Sequence, residues 1–208
     1  MPLGSVTGLV APNGSGKTTL LEGLASPWRK GVSGVCVAKG VQLDEREWRR
    51  KVVYVPGPSF LYPNLTGMQQ ADITRGLWSS AVSVERLVGE LDVGGYMNVP
   101  IRRCSQGMAQ MLSLVVALCT GARYLLLDEP ASTLDISNVR RVGEVLRRYA
   151  EGGAAVLMST HNALSCDETC DQVVWLVEGE SRVEARGIGE RPPCAEVYRQ
   201  LYGTSDME

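Results

Sequence analysis

The stretch from Gly8 to Leu24, GLVAPNGSGKTTLLEGL, limits what this chain can fold into more than any other part of it. A short apolar run enters a turn containing Gly14 and Gly16, and Lys17 and Thr18 then open a segment with helical apolar spacing. Glycines let successive backbone N–H groups face inward without side-chain obstruction, and the helix that follows adds the positive end of its dipole. A lysine beside such a turn reaches β- and γ-phosphates, and the neighbouring threonine hydroxyl can ligate magnesium. The stretch therefore predicts strand, phosphate loop and helix in that order, the opening unit of an α/β fold. Its candidate nucleotide contacts are Ala11, Pro12, Asn13, Gly14, Ser15, Gly16, Lys17, Thr18 and Thr19. Ala11 stands where the stricter pattern has glycine, a difference of one methyl group.

Further apolar runs bounded by turn residues recur at Val52–Val55, Tyr124–Leu127, Ala155–Met158 and Val173–Val177, and Val6–Val10 leads into the phosphate loop. They read as buried strands, and the helix-period segments between most of them predict a mainly parallel sheet with crossover helices. One interval breaks the rhythm. GPSFLYPNLTG reads as a loop, whereas Gly67–Trp78 and Val84–Leu91 read as helices, which predicts a helical subdomain inserted at about 58–104. The length of 208 residues suits one domain covering 1–208, with this insertion inside it.

YLLLDEP sets Asp128 and Glu129 at the end of an apolar strand. In a parallel sheet that end faces the same crevice as the phosphate loop, so Asp128 is a candidate for holding Mg2+ together with Thr18. Glu129 is the candidate general base for an attacking water. The chain's one histidine, His161, follows the strand AAVLMST, where an imidazole could hydrogen-bond a γ-phosphate or that water. Loop and acidic strand end together predict a P-loop NTPase.

A formal net charge of −2 and arginine pairs interleaved with acids argue against a nucleic-acid partner. The six cysteines lack paired zinc-type spacing, and with a single histidine they read as free thiols of a reducing compartment. Apolar runs fall short of the about 18 residues a spanning helix needs, and the opening MPLGSVTGLVA has no secretory layout, so the expected location is cytoplasmic.

On these residues the chain resembles the nucleotide-binding domain of ATP-binding cassette (ABC) transporters from Val6 onward. RRCSQGMAQMLSLVVAL stands just before the Asp-Glu strand, at the place of that family's signature motif, and Ser105, Gln106 and Gly107 match its phosphate-contacting part. By resemblance, Ser105 and Gly107 bind the γ-phosphate of ATP held by the opposite subunit. ASTLD is similar to the family's D-loop, which makes Asp135 a residue at the dimer interface, although it could equally cap the helix after it. MSTH resembles the switch-histidine loop, and LYPNLTG is similar to the export-type branch.

The resemblance implies an ATPase with ATP and Mg2+ as ligands, a homo- or heterodimer with another ABC ATPase domain, and coupling of hydrolysis to transport. The helical insertion would dock on a separate membrane-spanning transporter subunit, which would hold the chain at the inner face of the membrane. Substrate and direction would be set by that subunit. Two features depart from the family pattern. Gly57 stands where the family has glutamine, or glutamate in some exporters, and so offers no oxygen to magnesium or water. Only ten residues precede Ala11, none aromatic, where the family carries further strands and an adenine-stacking ring. Both departures leave open a catalytically weak regulatory or assembly module that binds nucleotide without productive turnover, and the second leads to the expectation that ATP and GTP bind alike. A small-molecule kinase on the same loop would instead need an arginine-rich lid and no signature segment.

Overall fold

Each of the five apolar runs read as a strand becomes one. The computed structural model describes residues 1–32, 37–38, 41–185 and 192–203, so Cys36 lies outside the described residues. In chain order the elements are β1 (Ser5–Val10), α1 (Lys17–Ala25), β2 (Val37–Ala38), β3 (Val41–Gln42), α2 (Glu45–Arg49) and β4 (Val52–Val55). A 3-10 turn at Pro58–Phe60 precedes α3 (Gly67–Trp78) and α4 (Val84–Leu91), and a second at Ile101–Arg103 precedes α5 (Gln106–Leu118). The remainder is β5 (Tyr124–Leu127), α6 (Ile136–Glu151), β6 (Ala155–Thr160), α7 (Leu164–Thr169), β7 (Gln172–Val177), β8 (Glu180–Ala185) and α8 (Cys194–Tyr202).

Six strands form one sheet in the order β4-β5-β6-β1-β7-β8, and β2 and β3 pair separately. All neighbours in the large sheet are parallel except β7 and β8. Strand β8 is absent from the sequence reading because ESRVEA is polar and lies at an edge, where only one face needs cover. Its signal was the turn. Glu178 and Gly179 take φ of 51° and 83°, the left-handed pair that joins two strands through a two-residue hairpin.

The central strands are apolar throughout because both of their faces are covered. Val6, Val10, Leu125, Leu127, Val156 and Met158 belong to one buried cluster, while Leu9, Leu126, Ala155 and Leu157 alternate into the other. Helix α5 is buried along its whole run from Gln110 to Leu118, as a helix between two apolar layers must be. One layer is the sheet; the other is α3 and α4, which pack on α5 and occupy part of the segment read as an insertion. Helix α6 by contrast buries only one stripe, Val142, Gly143, Val145, Leu146 and Ala150. The five described cysteines are free thiols, and four of them are buried. Among the described residues, no helix is long and apolar enough to cross a membrane.

Candidate active site

Four loops leave the sheet along one edge, where β1, β4, β5 and β6 end. Register fixes their neighbourhood: Val10 lies beside Thr160, Val55 beside Leu127, and Leu127 beside Met158. The segments that follow these pairs carry Ala11 to Thr18, Gly57, Asp128 to Asp135, and His161. A parallel sheet thus gathers residues that lie far apart in sequence.

In the loop between β1 and α1 Gly14 and Gly16 take φ of 78° and 93°, a backbone that side chains disfavour. Gly16 is the N-cap of α1 and provides no side-chain cap, whereas Thr66, Ser83, Ser105 and Asp135 cap α3, α4, α5 and α6. The first-turn N–H groups of α1 therefore keep their donors, and the dipole's positive end, for an anion. Ser15 Oγ is buried in the same loop and has no hydrogen-bond partner among the described residues. Lys17 is 6 % exposed; its Nζ donates to Ala11 O at 2.8 Å and Pro12 O at 3.1 Å and lies 3.6 Å from Glu129 Oε1. Asn13, Gly14, Thr18 and Thr19 are exposed at the mouth of this loop.

Asp128 sits beside the loop, bonded from several sides. Thr18 Oγ1, 110 residues earlier, donates to Asp128 Oδ2 at 2.6 Å. Ser159 Oγ donates to Oδ1 at 2.5 Å, and Tyr54 OH approaches Oδ2 at 3.4 Å. Burial, and then the charge of Asp128, push the Tyr54 phenol up to about 12. Glu129 follows with φ 47°, a left-handed conformation rare outside glycine. Its N–H donates to Ser159 Oγ at 2.9 Å, and its Oε2 lies 3.0 Å from His161 Nδ1, within reach of an imidazole N–H. Among the described residues no group of three or more His, Cys, Asp and Glu could hold a metal by itself. A hydroxyl and one carboxylate, with substrate phosphates and water completing the shell, are nevertheless a suitable donor set for magnesium.

The signature residues lie elsewhere on the surface. Ser105 accepts from Met108 N at 3.2 Å as the N-cap of α5, Gln106 is exposed, and a Cβ on Gly107 would come 3.4 Å from Thr133 O. Among the described residues no hydrogen bond joins these three to the chain's own phosphate loop. Asp135 caps α6, accepting from Asn138 N at 3.0 Å and Ser137 Oγ at 2.6 Å. Those bonds, the serine's foremost, hold its carboxyl down at about 2.

Gly57 is buried one residue beyond β4, after Pro56, with φ 81° and ψ −160°, a region open essentially to glycine alone. A Cβ there would lie 3.7 Å from Oε1 of the buried Gln110, whose Nε2 donates to Pro130 O at 3.0 Å. Sequence reasoning passed over Gln110, Tyr54 and Ser159. For Ser159 a signal existed, since it is a polar residue inside an apolar strand and is 0 % exposed.

The family model described as "ABC transporter" matches residues 1–132. An uncharacterized ABC transporter ATP-binding protein of Nostoc sp. is 32 % identical over 185 residues, covering 85 % of this chain and 55 % of that protein. The lantibiotic transport ATP-binding protein SrtF of Streptococcus pyogenes is 26 % identical, covering 88 % of this chain and 80 % of that protein. The chain thus spans little more than half the length of the Nostoc relative. Among solved structures, an ATP-binding subunit of an ABC transporter superposes with a TM-score of 0.76 at 23 % identity, over 98 % of this chain and 85 % of that one. A dimeric ATP-binding cassette in a post-hydrolysis state with ADP and Pi superposes with a TM-score of 0.73 at 23 % identity, over 90 % and 89 % of the two chains. These likenesses identify the fold as that of P-loop ABC ATPase domains.

Proposed function

This chain belongs to the ABC transporter family and carries its ATP-binding domain, and from that premise we propose that it hydrolyses Mg-ATP as one half of a dimer to energise export through a separate membrane-spanning subunit. The observation that carries the reading is the meeting of Thr18 and Asp128 at 2.6 Å beside the uncapped start of α1. Anion-binding backbone, a buried cation and hard oxygen donors stand together there.

Magnesium, when bound by Thr18 and Asp128, would neutralise charge on the β- and γ-phosphates. The chain's own groups do the rest by position and electrostatics. Loop N–H groups and Lys17 hold the phosphates, with Ser15 Oγ as a further donor. Glu129 accepts the proton of the attacking water, and His161 at 3.0 Å orients its carboxylate. Ser105, Gln106 and Gly107, exposed or partly so at the start of α5, are available to the nucleotide of a second domain, with Asp135 at the interface.

The docking role of the helices at 58–104 is supported by a groove of about 510 Å³ between β4 and α3. Tyr62, Ile73 and Leu77 line it and are 67 %, 51 % and 81 % exposed. An apolar surface of this kind suits a protein partner. Export is supported by the likeness of LYPNLTG to export-type members. Gly57 favours a second reading, a domain that binds nucleotide with slow or no turnover, because the site lacks that side-chain oxygen.

Phosphate release by the purified chain, with and without a candidate membrane subunit, distinguishes the two. In Glu129→Gln, turnover should fall by at least about 100-fold while ATP remains bound. Sizing chromatography with Mg-ATP should then show a dimer that the wild type forms only transiently. A variant that turns over at the wild-type rate would remove Glu129 from the mechanism, and a wild type inactive with its partner would favour the second reading.

A further inference from the structure

We infer that Ser159 is the positioning residue of this site, one hydroxyl that sets both the metal-binding carboxylate and the general base. The inference rests on the roles proposed above for Asp128 and Glu129.

Strand β5 leaves the sheet at Leu127. On its β4 side the ladder continues one step, with Asp128 N donating to Val55 O at 2.9 Å. On its β6 side the last register pair is Leu127 with Met158, and the next N–H, that of Glu129, turns to the side chain of Ser159 at 2.9 Å. A side-chain oxygen thus replaces the main-chain acceptor at the point where the chain must swing into a left-handed residue. A serine hydroxyl has one hydrogen to give and lone pairs to receive. Here the hydrogen goes to Asp128 Oδ1 at 2.5 Å while a lone pair receives Glu129 N–H. The two bonds fix the direction of the Asp128 carboxylate relative to Thr18 and the backbone angle from which the Glu129 side chain reaches Lys17 and His161.

A serine needed only to satisfy one buried N–H would not also have to hold the carboxylate that faces Thr18. Ser159 also lies two residues before His161, which follows Thr160 at the end of β6. Any displacement of that strand end therefore moves the clasp on both acids. Alanine is small enough to fold in its place, and threonine keeps the hydroxyl on a residue suited to strands.

The test compares the wild type, Ser159→Ala and Ser159→Thr in the full chain. Without nucleotide, amide hydrogen exchange at Glu129 should be at least about tenfold faster in Ser159→Ala, with wild-type protection in Ser159→Thr. With saturating Mg2+, kcat of Ser159→Ala should fall about 10- to 100-fold, as for groups that orient metal ligands, with KM for ATP within about threefold of wild type. The Mg2+ concentration for half-maximal turnover should rise as well.

Unchanged exchange at Glu129 in Ser159→Ala overturns the clasp. Faster exchange with kcat and Mg2+ requirement within twofold of wild type overturns its functional role. If Ser159→Thr fails to melt cooperatively, the alanine comparison decides the outcome. A wild type without turnover refutes the hydrolysis reading, and exchange at Glu129 then decides the clasp independently.

Discussion

Replacing Lys17 with alanine should weaken Mg-ATP binding by two to three orders of magnitude while leaving the fold intact. The ammonium has three N–H donors; two are engaged by Ala11 O at 2.8 Å and Pro12 O at 3.1 Å. The third donor remains for a phosphate, together with a charge that Glu129 Oε1 faces at 3.6 Å, in a site where the residue is only 6 % exposed. A hydrogen bond between charged groups contributes about 1.5–3 kcal/mol net. The charge itself adds up to about 4 kcal/mol at 4 Å with an effective dielectric of 20, much of it offset by desolvation of the phosphate. A combined loss of about 3–4 kcal/mol corresponds to roughly 100- to 1000-fold in affinity. Truncation also leaves two loop carbonyls without their donor, at about 1–3 kcal/mol, so Tm should fall by only a few degrees per kcal/mol. Calorimetric titration with Mg-ATP, accompanied by a thermal melt, measures both. A folded Lys17→Ala with Mg-ATP affinity within threefold of wild type would show that the loop binds without its cation, and the assignment of this edge as a nucleotide site would fail.

Restoring the family's glutamine at position 57 should not improve the protein. With φ 81° and ψ −160° the backbone admits a side chain only with strain, so Gly57→Gln should cost about 1–3 kcal/mol in urea unfolding without raising turnover. A variant as stable as wild type and faster would mean that the loop rearranges freely. Alkaline stability gives a separate check. Burial pushes the phenols of Tyr54, Tyr149 and Tyr202 up to about 12, whereas in the unfolded chain they ionise near 10. The folded state holds these protons longer, so their stabilisation is complete below pH 10 and is lost as pH rises from 10 to about 12. Urea midpoints should decline across that window, and less steeply in Tyr149→Phe; equal slopes would contradict the assignment.

The sequence by itself determined five of the six strands of the large sheet and the helices α3 and α4. Strands β4 and β5 and helices α3 and α4 fall at the positions that apolar runs and caps predict, because a buried strand must be apolar on both faces and a capped helix announces its start. The strand-turn-helix run that carries Gly14, Gly16, Lys17 and Thr18 was legible because it is local: glycines, lysine and helix start lie within one turn of chain. That Asp128, Glu129 and His161 would meet was legible because strand ends in a parallel sheet share one edge.

Tertiary structure alone decided what holds those groups. That Ser159 joins Asp128 to Glu129, that Tyr54 approaches the same carboxylate, and that Gln110 links α5 to Pro130 depend on which strands and helices are neighbours. No local spacing encodes that order. The polar strand β8 escaped notice for the complementary reason, since an edge strand needs little apolar character and is fixed by its hairpin and by β7. The left-handed backbone of Gly57 likewise follows from the turn that the chain must make on leaving the buried end of β4, a constraint that only the assembled sheet imposes.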